Sequence, residues 1–308
     1  MTDAPLDLKI SVQIPEDYVD ALESYFYECD PNPWVLIQKT AADPYYLSGY
    51  FNQEEECTQA IDALKKNFPE LELTFDKEKL IATEWQNAYK QYVKPWNDRS
   101  LHWVPLWAKD NYSVPEGGIS VYVDAGMAFG TGCHETTQLC ASRLLDFYLS
   151  DSPKGSITMV DAGCGSGILA LSARALGFQS IRGFDNDPDA IQVCHDLLKH
   201  NPTLSPIEFS VDDLISGLPE DSVDFLMANI QTNILIPFAD PIIKSLHPSA
   251  HLILSGILTK ELEALKLHYL ETFNRLRPNS TIHIDSREKG EWSDLKIEII
   301  ACESKKII

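Results

Sequence analysis

Apolar side chains along this chain change their period several times, and each change marks an element. Leu8 to Ile14 alternates apolar and polar positions, the period of a half-buried strand. Glu16 to Tyr27 carries Tyr18, Val19, Leu22 and Phe26 at helical spacing, Trp34 to Lys39 and Tyr45 to Phe51 read as strands, and a second helix runs from about Gln53 to Phe68. Leu71 to Phe75 alternates again and predicts a further short strand. Strand, helix, two strands, helix, strand is the order of the split βαβ unit, in which two helices cover one face of a small sheet. An N-terminal ferredoxin-like α+β domain is therefore expected over residues 1–80.

Residues 81–114 follow neither period. Glu84-Trp85, Ala88 to Trp96 and Leu101 to Trp107 are dense in aromatics and broken by prolines, which predicts a connecting helix and strand with the aromatics as packing anchors. Beyond residue 115, strand-like runs near Ile157, Ile181, Ile207, Val223 and Leu252 alternate with helical patterns near Leu169, Ala190, Ile236 and Leu262. That alternation predicts a doubly wound parallel α/β sheet over residues 115–308. Its end departs from the pattern: Thr281 to Ile284 and Leu295 to Ile300 are strand-like runs joined by a polar loop containing Lys289-Gly290-Glu291, a hairpin that adds an antiparallel strand.

Charge narrows the choice of partners. The chain carries 46 Asp and Glu against 25 Lys and Arg, a formal net charge of -21. Such a surface repels nucleic-acid phosphates and steers cations or basic proteins, so no direct nucleic-acid binding is expected. The N-terminal region shares the acidity, with 18 acidic and 8 basic side chains up to residue 95. No apolar run approaches the roughly 18 residues of a membrane span. The acidic start, Met1-Thr-Asp-Ala-Pro-Leu-Asp-Leu-Lys9, lacks the regions of a signal peptide, so a cytoplasmic location outside the membrane is expected; a monomer is expected as well. Seven scattered cysteines (Cys29, Cys57, Cys133, Cys140, Cys164, Cys194, Cys302) form no Cys-x-x-Cys pair and read as reduced packing residues, with no metal site indicated.

The chemistry concentrates at two neighbouring strand ends. Met159-Val-Asp-Ala-Gly-Cys-Gly-Ser-Gly-Ile168 is an apolar strand running into three alternate glycines and a helix start, and Gly183-Phe-Asp185 ends the next strand in a carboxylate suited to ribose hydroxyls. A dinucleotide site needs Gly-x-Gly-x-x-Gly, and the last glycine of that spacing is missing here. Asp161 adds a carboxylate where a pyrophosphate wants donors only. A cationic cofactor tolerates it, which favours S-adenosylmethionine, with its sulfonium and ammonium, over a nicotinamide dinucleotide. Asp187, before Pro188, reads as a helix N-cap. Asp212 reads equally as an adenine contact or a turn residue. Asn229 ends the fourth strand, where amine and amide methyltransferases commonly place Asn or Asp, and its amide is suited to aligning an incoming nitrogen.

A further segment, Val123-Asp-Ala-Gly-Met-Ala-Phe-Gly-Thr-Gly-Cys-His-Glu-Thr-Thr137, is a glycine-rich loop leading into a helix that Thr136 and Thr137 are placed to cap. It closely resembles a segment of the ribosomal protein L-eleven methyltransferase family (PrmA). The resemblance extends over the N-terminal domain, the aromatic connector, Val160 to Ala170, Ala228-Asn-Ile230, Leu254-Ser-Gly-Ile-Leu258 and Glu291-Trp292. It implies a seven-stranded class I methyltransferase (Rossmann-like) domain with S-adenosylmethionine bound by Thr137, Gly163, Asp185 and Asn229. Asn229 and Thr136 are the candidates for positioning the reactants, and His134 reads as ordering the loop, with proton acceptance as the alternative. The implied activity is methylation of lysine side chains, and of the α-amine, of a basic ribosomal protein gripped by the N-terminal domain. Another protein's lysines, or a non-catalytic assembly role for the same fold, are the alternatives. Departures from the family pattern fall at Ala125, Cys133 and Gln231-Thr-Asn233, the last beside the acceptor.

Overall fold

A computed structural model of the chain describes residues 7–28, 33–38, 43–51, 53–71, 73–80, 94–124, 134–150 and 157–300. The glycine-rich segment 125–133 and the helix expected around Ala88 lie outside the described residues. Packing divides the chain into two units, residues 1–89 and 90–308.

In the first unit β1 (Asp7–Ile14), α1 (Val19–Glu28), β2 (Trp34–Ile37), β3 (Tyr45–Phe51), α2 (Glu54–Asn67) and β4 (Asp76–Leu80) follow in order. The sheet runs β2-β3-β1-β4 with every neighbouring pair antiparallel, the ferredoxin-like arrangement. Ile10, Leu22, Leu47 and Leu64 are fully buried beneath Trp34, whose ring stacks on Phe26. The last strand is displaced from the expected one. Leu71 and Leu73 do bury in the core, but the ladder to β1 forms in the following Asp-Lys-Glu-Lys-Leu segment. Alternation marked which side chains go inside; it did not mark which backbone pairs. A charged edge strand also discourages pairing with a second chain.

The second unit opens with a three-stranded sheet of β5 (Trp96–Asp98), β6 (Leu101–Pro105) and β7 (Ile119–Val123). The described part of the aromatic connector, 94–114, therefore folds within this unit. Trp96 and Trp103 stack with centroids 3.8 Å apart, and the buried Trp103 Nε1 donates to Ser172 Oγ at 2.8 Å. These rings are anchors, as their density in the sequence suggested.

The main sheet follows from α3 (Glu135–Leu149), β8 (Thr158–Ala162), α4 (Ile168–Ala175), β9 (Ser180–Asp185), α5 (Pro188–His200), β10 (Glu208–Val211), β11 (Val223–Asn229), α6 (Thr232–Leu235), α7 (Ala239–Ser245), β12 (Leu246–Leu258), α8 (Leu262–Leu276), β13 (Thr281–Lys289) and β14 (Trp292–Ile300). Strand order is β10-β9-β8-β11-β12-β14-β13; the first five run parallel and β14 is antiparallel to both of its neighbours. Strand order reverses between β8 and β11, the position where open α/β sheets leave a crevice at the strands' carboxyl ends.

The terminal hairpin is longer than its apolar runs. Both strands extend to a two-residue turn at Gly290-Glu291, with Gly290 at φ 60°. Their polar residues bind α3 instead of solvent. Arg143 on α3 is 3% exposed and makes a bidentate pair with the fully buried Asp294 at 2.7 and 2.8 Å, while a third nitrogen bonds Asp285. Asp146 of the same helix accepts from Arg99 at 2.7 Å and Arg287 at 2.6 Å. Arg143→Ala strands a buried carboxylate and is expected to cost about 3–5 kcal/mol of stability. Lys266→Ala, which breaks only the exposed pair with Glu263, is expected to cost about 0–1 kcal/mol. Urea denaturation of the two variants checks the contrast.

Candidate functional site

Three consecutive alternate glycines build the turn after β8. Gly163, Gly165 and Gly167 have φ of 66°, 52° and 74°, a region that costs other L-residues roughly 1–2 kcal/mol each. At Gly167 a side chain also has no room, since a Cβ there meets Cys194 Sγ at 2.9 Å and Phe209 Cζ at 3.0 Å. Cys164 N donates to Phe184 O at 2.9 Å, tying the turn to β9. Asp185, at the end of β9, completes the tie: its Oδ2 accepts from Gly165 N at 2.9 Å and its Oδ1 from Asp187 N at 3.1 Å. Each oxygen keeps a second lone pair. Asp185 and Gly165 line a cavity of about 850 Å³ with Asp124, Asp187, Ala190 and His200. Asp187 caps α5, accepting from Asp189 N at 2.9 Å ahead of Pro188, as its place before the proline predicted.

The second half of the site lies where β11 ends. Asn229 Nδ2 is 3.4 Å from Thr137 Oγ1, joining β11 to the first turn of α3. Asn229 Oδ1 is buried and has no hydrogen-bond partner among the described residues. Beyond it, Ile230 is pressed by β12: a Cβ on Gly256, at φ 82°, meets Ile230 O at 2.6 Å, so only glycine lets the strand pass so close. The structure thus brings Thr137 to Asn229, and Gly163 and Asp185 to a common turn.

Capping of α3 differs from the sequence expectation. The N-cap is His134, whose Nδ1 accepts from Thr136 N at 3.3 Å and lies 2.8 Å from Thr136 Oγ1. Thr136 and Thr137 sit inside the helix and are buried. The imidazole packs edge-on against Trp292, with centroids 5.0 Å apart, and Ser255 Oγ donates to Thr136 O at 3.2 Å. These contacts make His134 and Thr136 the hinge pin of the helix entry. Ser255 and Trp292 escaped the sequence reading as contacts of this entry, although both stand in segments quoted above.

Two carboxylates are used locally. Asp161 is 1% exposed, and its Oδ2 accepts from Ala170 N at 3.0 Å in the first turn of α4. It fastens that helix to β8, a job that its spacing from the glycines did not announce. Asp212 Oδ1 accepts from Asp213 N at 3.0 Å and bonds Ser216 Oγ in the turn after β10.

A reversed strand order, a left-handed glycine turn fastened to a ribose-competent Asp and an unpaired amide oxygen at the adjacent strand end suit S-adenosylmethionine. They define a class I S-adenosylmethionine-dependent methyltransferase. Residues 11–297 match the family model described as ribosomal protein L11 methyltransferase (PrmA). The chain belongs to that family. It is 30% identical to the ribosomal protein L11 methyltransferase of Geotalea uraniireducens (strain Rf4), over 93% of this chain and 96% of that protein. It is 33% identical to the enzyme of the same name from Hydrogenovibrio crunogenus, over 80% and 78% of the two chains. Among solved structures, a ribosomal protein L11 methylase from Lactobacillus delbrueckii subsp. bulgaricus superimposes with a TM-score of 0.57 at 26% identity, covering 67% of this chain and 98% of that one.

Burial of Asp161 has a measurable consequence. Removal from water, reinforced by the nearby Asp185 charge and opposed by the Ala170 N–H, pushes its carboxyl up to about 7 from an ordinary 3.8. Between those values the folded state holds a proton that the unfolded chain has released. The stability contribution is therefore fully present below about 3.8 and is lost as pH rises through about 7. Asp161→Asn removes this slope, so its Tm is expected to fall less than that of the wild type between about pH 5 and pH 8. Thermal unfolding of both proteins at the two pH values is the check; equal slopes contradict it.

Proposed function

We propose that this enzyme methylates lysine side chains, and the α-amine, of ribosomal protein L11, with Asn229 as the residue that meets the acceptor. The observation that carries this reading is the buried, unpaired Oδ1 of Asn229 at the switch-point end of β11. When bound, S-adenosylmethionine supplies an electrophilic methyl group on a cationic sulfonium. Asp185 would hold its ribose hydroxyls through the lone pairs left after Gly165 N and Asp187 N are bonded. Gly163 would let the turn approach it closely, and Thr137 and Asn229 would complete its binding site. Thr136, bonded to His134, fixes the start of α3 and so sets where Thr137 stands.

The acceptor lysine must be neutral to react. Bringing an amine of pKa about 10.4 to neutral pH costs roughly 4–5 kcal/mol, an amount that a desolvated pocket beside a positive charge can reduce. No strong dedicated base is required. Acceptors that bind N–H bonds and leave the lone pair aimed at the methyl group supply alignment, the larger part of the rate. Residues 1–80 are assigned to substrate recognition, 81–114 to the connector and 115–308 to catalysis. The acidic N-terminal region suits a basic protein, and a cytoplasmic monomer suits a substrate made in that compartment.

Two measurements test the assignment. Asp185→Ala removes a charged acceptor for the ribose and is expected to weaken S-adenosylhomocysteine binding about 10–100-fold by calorimetry. Incubation with labelled S-adenosylmethionine and a ribosomal extract from cells lacking the enzyme is expected to label one basic large-subunit protein. Label in RNA alone, or on no protein, overturns the substrate assignment.

A further inference from the structure

Among the described residues, four buried side-chain polar atoms have no hydrogen-bond partner: Trp96 Nε1, Arg174 Nε, Asn229 Oδ1 and Thr232 Oγ1. Arg174 is otherwise well bonded through its other two nitrogens, to Phe178 O, Gln179 O and Pro206 O. Asn229 and Thr232 are different, because they lie three residues apart, one ending β11 and the other starting α6. Two unpaired buried oxygens three residues apart in the chain are costly to the free protein, as groups reserved for a ligand are. Thr232 is 9% exposed, and its own carbonyl is used by Ile236 N at 3.1 Å.

The connection between them is held rigidly from two sides. Gly256 presses β12 against the Ile230 carbonyl, and the fully buried Tyr269 donates from its hydroxyl to Leu235 O at 2.9 Å, pinning α6. A reacting primary amine has two N–H bonds to place and one lone pair to keep free. With Asn229 Oδ1 read as the acceptor of one N–H bond, the other needs a second oxygen.

We propose that Thr232 Oγ1 is the second acceptor for the methyl-receiving amine, so that Asn229 and Thr232 together hold both N–H bonds of an unmethylated lysine. The inference rests on the reading of Asn229 as the acceptor-facing residue. It makes Thr232 a specificity-determining residue for primary amines.

The test compares wild type with Thr232→Val, which keeps shape and removes the hydroxyl, and Thr232→Ser, which keeps the hydroxyl. Three quantities are measured: KM for the unmethylated ribosomal protein, Kd for S-adenosylhomocysteine, and Tm of the free protein. Val is expected to raise the acceptor KM about tenfold, to leave Kd within about twofold, and to leave Tm unchanged or higher because an unpaired hydroxyl has gone. Ser is expected to restore the acceptor KM. An acceptor KM unchanged by Val, or a lower Tm, overturns the inference. Should the wild type leave the ribosomal protein unmodified, it is the substrate assignment that fails. The Tm comparison still decides the status of Thr232: a lower Tm in the Val variant shows a paired, structural hydroxyl and overturns the inference, whereas an equal or higher one supports it.

Discussion

The carboxylate of Asp185 ties the glycine turn after β8 to the end of β9 and the start of α5, on top of the ladder that pairs the two strands. One oxygen takes the N–H of Gly165, in the turn after β8, and the other takes the N–H of Asp187 at the start of α5. Glycine is needed throughout that turn because its backbone occupies the left-handed region and because Cys194 and Phe209 leave no space beside Gly167. The same carboxylate has lone pairs to spare, so the group that organises the turn is also available to a ribose. Structure and ligand recognition use one side chain, which is why the fold and the site cannot be separated at this point.

Around this tie the sheet supplies the geometry. Reversal of strand order between β8 and β11 opens the crevice, and Asn229 sits at the end of the strand across it. Helix α3 then brings Thr137 to Asn229. That helix is not held by apolar packing alone: the buried Arg143–Asp294 pair and the Asp146 bonds to Arg99 and Arg287 bind it to the terminal hairpin and to the sheet of β5 and β6. Charged residues far from the reactants thereby set where the first turn of α3 stands.

Much of this was legible in the chain. Parallel strands buried on both faces leave continuous apolar runs, so β8, β9, β11 and β12 announce themselves, and a glycine turn between a strand and a helix has few meanings. Asp185 and Asn229 followed from their places at strand ends. What was not legible depends on distant partners. Asp285, Arg287 and Asp294 looked like loop residues because their polarity is matched by Arg143 and Asp146, more than a hundred residues away in the chain. His134 as N-cap was hidden because imidazole is not a usual capping group. Asp161 was read as facing the cofactor, whereas its carboxylate bonds a helix amide nine residues on.

The central claim is that cofactor binding engages the glycine turn, the end of β9 and the end of β11 as one site. Hydrogen exchange at residue resolution, with and without S-adenosylhomocysteine, tests it directly. Added protection is predicted at the amides of Gly163 to Gly167, Asp185 to Asp187 and Asn229 to Gln231, with α8 unchanged. Protection spread evenly over the second unit, or absent from the glycine turn, contradicts it.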